Sequence, residues 1–354
     1  MRLFTRKVPK SASAPPDAPP VPLSGFAERN PVTAKHRRRW LGLDIGSSAV
    51  KIVELSRQGE AYRVEAFAVE PVPPGSVVAG NISDAGAVGE AIRKACERAG
   101  TKPRNVCAGI RDSAVVTKTL EMDASLSDRE LEAEVTLEAE RQMPFPVDEM
   151  AIDFEPMQLS SRDPSRVDVL LVACRLEHVV LRQEAAELGG VRLDIVDVES
   201  HAVQRAVAEV APERQPVAFA DIGASTSTLM IVDGESVVAR EEQFAVDRLA
   251  TDALATDAHA TEPLLGLLTR LLRLVRLGNP TTPLDRLLLA GGIATTPGLA
   301  EGIGGHLKLA VEVADACRDM AVAEHTDAVS LGEHAPMLFT ACGLALRGFD
   351  AVRT

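Results

Sequence analysis

The chain has 354 residues, of which 46% are hydrophobic and 3% aromatic, and its formal net charge is −13. This length allows two lobes with separate, mainly aliphatic cores, and the acidic charge argues against general nucleic-acid binding. The five cysteines and seven histidines show no metal-ligand spacing, and no apolar run approaches the ~20 residues that span a membrane. We therefore expect a cytosolic protein whose cysteines are reduced and mostly buried.

Residues 1–39 differ in composition from the rest of the chain. Seven prolines and nine Lys or Arg residues stand against two acidic residues, so this segment carries +7 and the remainder −20. Proline-rich polar sequence does not build a packed core, and we predict a disordered basic tail. The tail is either a flexible leader or a weak electrostatic contact with anionic lipid. It is not a secretory signal, because no apolar segment follows MRLFTRK.

The stretch LGLDIGSSAVKIVEL, Leu41 to Leu55, predicts a β-hairpin with DIGSS at its turn. Gly46 permits a close backbone approach to a ligand. Backbone N–H groups of such a turn can form an anion-binding concavity, to which Ser47 and Ser48 add hydroxyl donors. These features together favour a phosphate site.

Two charged residues flank this turn. Lys51 lies on the returning strand, where its point charge can meet a phosphate oxygen. Asp44 would repel a phosphate, so we expect it to face a hydrated Mg²⁺, a cation that takes oxygen ligands through water. The alternative interpretation of the whole stretch is an ordinary polar hairpin.

Several elements are predicted after the first hairpin. SDAGAVGEAIRKACERAG predicts a helix capped by Ser83, and SDRELEAEVTLEAERQM predicts one with a capping box from Ser127 to Glu130. Strand-like segments flank the second helix, so residues from about 112 to 174 are predicted to form a small α+β insertion in the first lobe. Another helix, closed by a Gly-Gly pair, then leads to the strand VRLDIVDV and the helix that starts at ESHAV.

The hairpin pattern occurs again in VAFADIGASTSTLMIVDG, where Asp221, Gly223 and Ser225 repeat the first aspartate, glycine and second serine. A duplicated phosphate hairpin suggests two similar half-molecules that face each other across a cleft. A third pattern follows in LLLAGGIATTPGL, an apolar strand that leads into Gly291 and Gly292.

These three motifs, in this order, resemble the actin-like ATPase superfamily. The resemblance implies an α/β chain with a two-lobed actin-like (ribonuclease H-like) ATPase fold, an inserted α+β subdomain in the first lobe and a shortened second-lobe subdomain. It also implies ATP and Mg²⁺ as cofactors, with Asp44 and Asp221 near the metal through water. The implied cofactor-binding residues are Asp44, Gly46, Ser47, Ser48, Lys51, Asp221, Gly223, Ala224, Ser225, Gly291 and Gly292.

Further phrases narrow the resemblance. DIGSSAVKIVELSR, GSVVAGNI, SAVVTK, LEAERQMPFPVDE, VDVLLVACR, VDVESHA and ACGLALRGFD are similar to the PilM family, the actin-like component of type IV pilus assembly. The likeness covers nearly all of residues 40–349. It implies a cytoplasmic scaffold at the inner-membrane face that grips the N-terminal peptide of a PilN-like membrane protein beside the insertion. It also implies contacts with other pilus assembly proteins and a part in twitching motility.

Glu199, in VDVESHAV, occupies the position where hydrolysing relatives place a residue that positions water. We predict it as the catalytic candidate of an ATPase that is at most weak; the alternative is an exposed acid at a helix start. After the second hairpin the chain is shorter than in the family. The segment PLLGLLTRLLRLVRLG there predicts a core helix, or alternatively a membrane-surface helix. Its predicted apolar face consists of Leu264, Leu267, Leu268, Leu271, Leu274 and Val275.

The predicted domains are the tail (1–39), a first lobe (40–210) and a second lobe (211–354), with a last helix near 336–349 packed on the first lobe. The predicted function is a nucleotide-binding docking scaffold. Two alternatives are a sugar-kinase-like phosphotransferase, for which no motif supplies a catalytic base, and a degenerate scaffold that binds no nucleotide.

Overall fold

The computed structural model describes residues 39–160, 163–211, 215–234, 236–244, 261–278 and 284–350. Residues 1–38 of the predicted tail (1–39) lie outside the described residues, whereas its last residue, Arg39, is the first residue of β1. The helices are α1 (Ala85–Arg98), α2 (Asp128–Gln142), α3 (Leu176–Leu188), α4 (Glu199–Val210), α5 (Glu262–Gly278), α6 (Leu299–Leu307) and α7 (Ala328–Asp350). The strands are β1 (Arg39–Ile45), β2 (Ala49–Gln58), β3 (Ala61–Pro71), β4 (Val77–Val78), β5 (Asn81–Ile82), β6 (Val106–Ile110), β7 (Val115–Asp123), β8 (Met150–Leu159), β9 (Arg166–Arg175), β10 (Leu193–Val198), β11 (Val217–Ile222), β12 (Thr226–Asp233), β13 (Ser236–Gln243), β14 (Arg286–Gly291), β15 (Ala310–Val313) and β16 (Ala321–Val322).

The first sheet has six strands in the order β10-β6-β1-β2-β3-β16. β1, β2 and β3 are antiparallel neighbours, while β6 and β10 run parallel to β1. Side chains alternate along a strand, so Leu41 and Leu43 pack toward α1 and α3, whereas Trp40 packs on the opposite face. Asp44 shares the face of Trp40, which places it at the interior side of this sheet.

The second sheet has the order β13-β12-β11-β14-β15 and repeats the antiparallel hairpin at its centre. α5 and α6 cover one face with buried leucines. The core-helix prediction for α5 is confirmed, except that Leu274 is 45% exposed and Leu272 is buried in its place. The buried face has the 3.6-residue period, and Leu274 falls outside it. The side chain of Val275 lies outside the described part.

Helices α4 and α7 form a layer between the two sheets. One continuous core contains residues from both helices and from the facing sides of both sheets. The rings of Phe219 on β11 and Phe339 on α7 lie 4.8 Å apart between centroids. α7 and α4 touch backbone to backbone, since a Cβ on Gly343 would lie 1.9 Å from the carbonyl oxygen of Ala202. α7 therefore packs against both sheets at once.

The segment between β6 and α3 forms a separate three-stranded antiparallel sheet in the order β7-β9-β8, with α2 packed on one face. The predicted capping box is confirmed, because the Ser127 N–H donates to Glu130 Oε2 at 2.9 Å. The predicted cap of α1 is wrong by one residue: Asp84, not Ser83, accepts a hydrogen bond from the Ala87 N–H at 2.9 Å. A carboxylate caps a helix as well as a hydroxyl does, so both residues suit the position.

Burial of the cysteines is confirmed, since all five are free and buried. None of the helices in the described ranges combines the length and apolarity needed to cross a membrane.

Candidate functional site

The two DIG turns have the same backbone geometry. In the first, the Gly46 N–H donates to the Ala49 carbonyl at 3.0 Å; in the second, the Gly223 N–H donates to the Thr226 carbonyl at 3.2 Å. Each turn follows a buried strand and returns into an antiparallel partner. The sequence repeat is therefore also a repeat of local structure.

The two turns meet in space although they belong to different sheets. The Ser225 hydroxyl donates a hydrogen bond to Ser47 Oγ at 2.8 Å. Ser48 and Ala224, beside them in the two turns, are exposed. This contact brings the predicted phosphate residues of the two hairpin turns to one place.

Lys51 lies directly opposite Asp44 across the first hairpin, because a seven-residue separation spans the turn. The Lys51 Nζ atom lies 2.9 Å from Asp44 Oδ2. Burial opposes the charged form of Lys51, but the carboxylates of Asp44, Asp221 and Glu199 together hold the pKa of the ammonium above its ordinary value. Lys51 is therefore a charged ammonium group surrounded by carboxyl groups.

Two further carboxyl groups belong to this cluster. Burial, opposed by the nearby Lys51, raises the pKa of Asp221. Burial and the charge of Asp44 raise the pKa of Glu199 to about 8. Glu199 is the first residue of α4, which agrees with the alternative prediction of an acid at a helix start. It is half-buried, however, whereas that alternative expected an exposed residue. Its environment therefore favours the protonated carboxyl group more than solvent does.

The third motif lies at the same edge of the second sheet. β14 runs parallel to β11, and Gly291 is in register with Ile222, one residue after Asp221. Gly291 has φ +97°, and a Cβ there would lie 2.2 Å from the Ile222 carbonyl oxygen, so only glycine fits. Gly292 is exposed, which leaves its backbone open to the solvent.

Three charged residues near the cluster were not predicted. Arg111 forms an ion pair with Glu241 of β13, which joins the two sheets. Asp112 accepts a hydrogen bond from the Ser200 N–H at 3.1 Å and thereby holds the start of α4. Arg111 directly follows the buried strand VCAGI, a strand-end position that could have identified it. Glu241 lies within a strand and has no comparable sequence signal.

Across the described ranges, no group of three or more His, Cys, Asp or Glu side chains is arranged to hold a metal ion directly. The predicted contact of Asp44 and Asp221 with Mg²⁺ runs through water, and it stays a prediction.

Two sheets that each carry a DIG hairpin, separated by a shared helical layer, define the two-lobed actin-like ATPase fold. The family model described as type IV pilus assembly protein PilM matches residues 42–257 and 261–349, and the chain belongs to this family. The predicted family and fold class are thus confirmed.

Two solved structures illustrate the likeness. A PilM-PilN type IV pilus biogenesis complex is 28% identical, with a TM-score of 0.72, over 87% of this chain and 98% of that chain. A diol dehydratase-reactivating factor in nucleotide-free form is 9% identical, with a TM-score of 0.52, over 88% of this chain and 100% of that chain. The second match shows a shared fold alone.

Proposed function

We propose that this chain is a nucleotide-dependent docking scaffold of type IV pilus assembly. It binds ATP with Mg²⁺ between the paired hairpins and holds the N-terminal peptide of a PilN-like inner-membrane protein. The observation that carries the nucleotide half is the hydrogen bond between Ser47 and Ser225, which brings both turns to one place. The family membership and the likeness to the PilM-PilN complex support the docking half.

The residues present suit a nucleotide's phosphates. A Cβ on Gly46 would lie 2.9 Å from Lys51 Nζ, and one on Gly223 would lie 2.7 Å from the Thr226 carbonyl oxygen. The second turn therefore requires glycine, whereas a Cβ in the first turn would press on the mobile end of Lys51 and displace the lysine from its place beside the turn. Lys51 supplies the positive charge that a phosphate needs, while Asp44 and Asp221 hold the hydrated Mg²⁺.

Glu199 is proposed as the residue that positions the attacking water. Burial and the charge of Asp44 raise its pKa to about 8, and a bound cation would oppose that shift. The ATPase is proposed to be at most weak. Nucleotide binding then serves mainly to set the closure of the lobes, and closure alters the docking surface.

The inserted subdomain offers a site for the peptide. β7 is an edge strand of its three-stranded sheet in the described structure, and an open groove of about 720 Å³ lies between β7 and α2. An extended peptide can add to such an edge through main-chain hydrogen bonds. The groove is acidic, so the matching peptide carries at least one basic side chain. The acidic lining residues are Glu121, Glu134, Glu138 and Asp168.

This function places the chain in the cytoplasm, at the inner-membrane face, where the PilN-like partner and other pilus assembly proteins recruit it. A role in twitching motility follows from the same proposal. The lobes are proposed as residues 40–210 and 211–354, with the insertion at about 112–174.

Equilibrium titration with ATP and Mg²⁺, alongside a sugar screen, tests the nucleotide half. The proposal expects saturable ATP binding that depends on Mg²⁺, with no sugar phosphorylated. Phosphate transfer to a sugar would support the kinase alternative, and an absence of binding would support the degenerate scaffold.

Titration of a labelled N-terminal peptide of the cognate PilN-like protein, followed by fluorescence anisotropy, tests the docking half. Glu134→Lys reverses a charge in the groove and should weaken binding about tenfold or more. Glu140→Lys is the matched control, since it makes the same change at an exposed position of α2 outside the groove lining. Equal affinities for the two variants would remove this groove from the docking site.

A further inference from the structure

Arg111 lies between carboxylates of both lobes. It leaves the end of β6 in the first sheet and pairs with Glu241 of β13 in the second, and both side chains are mostly buried. The charges of Glu199 and Asp44 also act on its guanidinium group. The arginine therefore ties the end of β6 in the first sheet to β13 in the second.

The backbone beside the Arg111 side chain contains two left-handed residues. The β4–β5 hairpin turns through Ala79 at φ +48° and Gly80 at φ +78°. A Cβ on Gly80 would lie 2.2 Å from Arg111 Cδ, so any side chain there would displace the arginine. The segment GSVVAGNI, which belongs to the family resemblance, thus places Gly80 directly against the side chain of Arg111.

A buried arginine holds this hairpin in place. Arg182, 1% exposed, donates to the Gly80 carbonyl at 3.1 Å and to the Gly109 carbonyl at 2.7 Å. A Cβ on Gly109 would in turn lie 3.1 Å from Glu199 Cγ. Arg182 therefore fixes the two glycines against which Arg111 and Glu199 lie. Arg111 and Glu199 thus lie against backbone that a buried side chain holds in place.

We infer that Arg111 is a nucleotide-sensing residue for which two partners compete: the Glu241 carboxylate and a phosphate of the nucleotide. The inference rests on the proposed nucleotide binding and adds a residue and a coupling to it. A planar guanidinium group matches phosphate oxygens as well as it matches a carboxylate, and both partners offer two oxygens. Because one guanidinium serves both partners, Glu241 competes with the nucleotide.

This exchange links ligand binding to lobe geometry. Release of Glu241 frees β13, at the edge of the second sheet, from the end of β6. Asp112, the residue after Arg111, accepts a hydrogen bond from the Ser200 N–H at the start of α4, and the proposed insertion (about 112–174) begins at this residue. A change of partner at Arg111 therefore acts on the stem of the subdomain that is proposed to hold the peptide.

Two variants separate the two partners of Arg111. Glu241→Gln removes the competitor and should tighten ATP binding about threefold to tenfold, whereas Arg111→Gln should weaken it about tenfold or more. Glu242→Gln is the matched control, because the neighbouring Glu242 pairs with Arg270 of α5 instead and should leave the affinity unchanged.

A second readout needs no nucleotide. Fluorophores on cysteines introduced at the exposed Glu97 of α1 and Glu301 of α6 report the distance between the lobes, since the five native cysteines are buried. Both Arg111→Gln and Glu241→Gln should broaden the distance distribution of the nucleotide-free protein, and Glu242→Gln should not.

The outcomes distinguish this inference from the function on which it rests. If wild type binds ATP but Glu241→Gln binds it no more tightly, the exchange is overturned while nucleotide binding stands. If wild type binds no ATP, the proposed nucleotide function fails and the exchange fails with it. Unchanged distance distributions in both variants would overturn the tie between the lobes.

Discussion

The two DIG hairpins have the same turn geometry, but only the first has a lysine opposite its aspartate. Each closes with a hydrogen bond from the DIG glycine to the residue three positions on. Asp44 faces Lys51 across the first hairpin, whereas Asp221 faces Thr228 across the second. Duplication has therefore kept the backbone geometry in both lobes and left the positive charge in only one of them.

The same asymmetry extends to the rest of the cluster. Glu199 and Arg111 both belong to segments that follow strands of the first sheet, and the charge acting most strongly on Glu199 is that of Asp44. The second lobe contributes Asp221 and Glu241. In this molecule the first lobe holds the cations, and the second lobe meets them with carboxylates and a serine hydroxyl.

The largest expected effect on ATP binding comes from Lys51, which has no counterpart in the second hairpin. Lys51→Ala should weaken ATP binding on the order of tenfold to a hundredfold, because it removes a charge-assisted hydrogen bond worth about 1.5–3 kcal/mol. Thr228→Ala changes the corresponding position of the second hairpin and should have little effect. Isothermal titration calorimetry on both folded variants makes the comparison. Equal losses at the two positions would show that the charge asymmetry has no role in binding.

Substitution of the two turn glycines should have different effects: on stability at Gly223 and on ATP binding at Gly46. A Cβ at position 223 meets a backbone oxygen, so Gly223→Ala should cost about 1–3 kcal/mol of unfolding free energy. At position 46 the nearest atom is the mobile end of Lys51, so Gly46→Ala should cost less stability but weaken ATP binding. Thermal denaturation and ATP titration of both variants test this difference. A larger stability loss at position 46 would contradict it.

Glu199, a member of the cluster in the first lobe, should make the stability of the fold depend on pH. Its pKa rises from 4.5 to about 8 on folding, so the folded state must retain a proton and loses relative stability as pH rises between these values. Glu199→Gln removes that penalty, and its melting temperature should exceed that of wild type by an amount that grows from pH 5 to pH 8, reaching a few degrees.

Double variants assign the effect to one hairpin. Asp44→Asn should shrink the gain from Glu199→Gln, because it removes the neighbouring charge, whereas Asp221→Asn should not. A gain that is the same at pH 5 and pH 8 would show that Glu199 is not protonated in the folded protein.

The smallest effect is expected from the tail, which supplies a baseline for the others. Removal of residues 1–38 should leave the melting temperature nearly unchanged, because proline-rich polar sequence buries little surface. The truncation should retain Arg39, whose guanidinium lies 2.9 Å from the buried Glu65. Binding to anionic vesicles at low salt should fall. A clear drop in melting temperature would show that the tail packs on the body.

The hairpins, the insertion and the central helices could be predicted because their patterns are local. Alternating apolar residues around DIG, the capping box at Ser127 and the period of α5 each lie within one short stretch. The three motifs in their order then indicated the fold class, and the further phrases indicated the family. The error at Ser83 arose because two adjacent residues, Ser83 and Asp84, have nearly equal preference for a helix cap.

The rest of the site depends on contacts between distant segments. Nothing in the sequence around Glu241 indicates that it meets Arg111, which lies in another sheet. The need for glycine at position 80 likewise comes from the side chain of Arg111. The burial that raises the pKa of Glu199 comes from packing of α4 against neighbouring elements, which local propensity does not contain.

The layer formed by α4 and α7 also has a consequence for folding. β1 begins at residue 39, but its inner face is covered by α7, which begins at residue 328. Contacts of such long sequence separation form late and slow the folding of a chain. During synthesis the part of the inner apolar faces that α7 covers stays uncovered until α7 has been made. A nascent chain stalled before residue 328 would therefore expose aggregation-prone surface in both halves and would be a strong client for molecular chaperones.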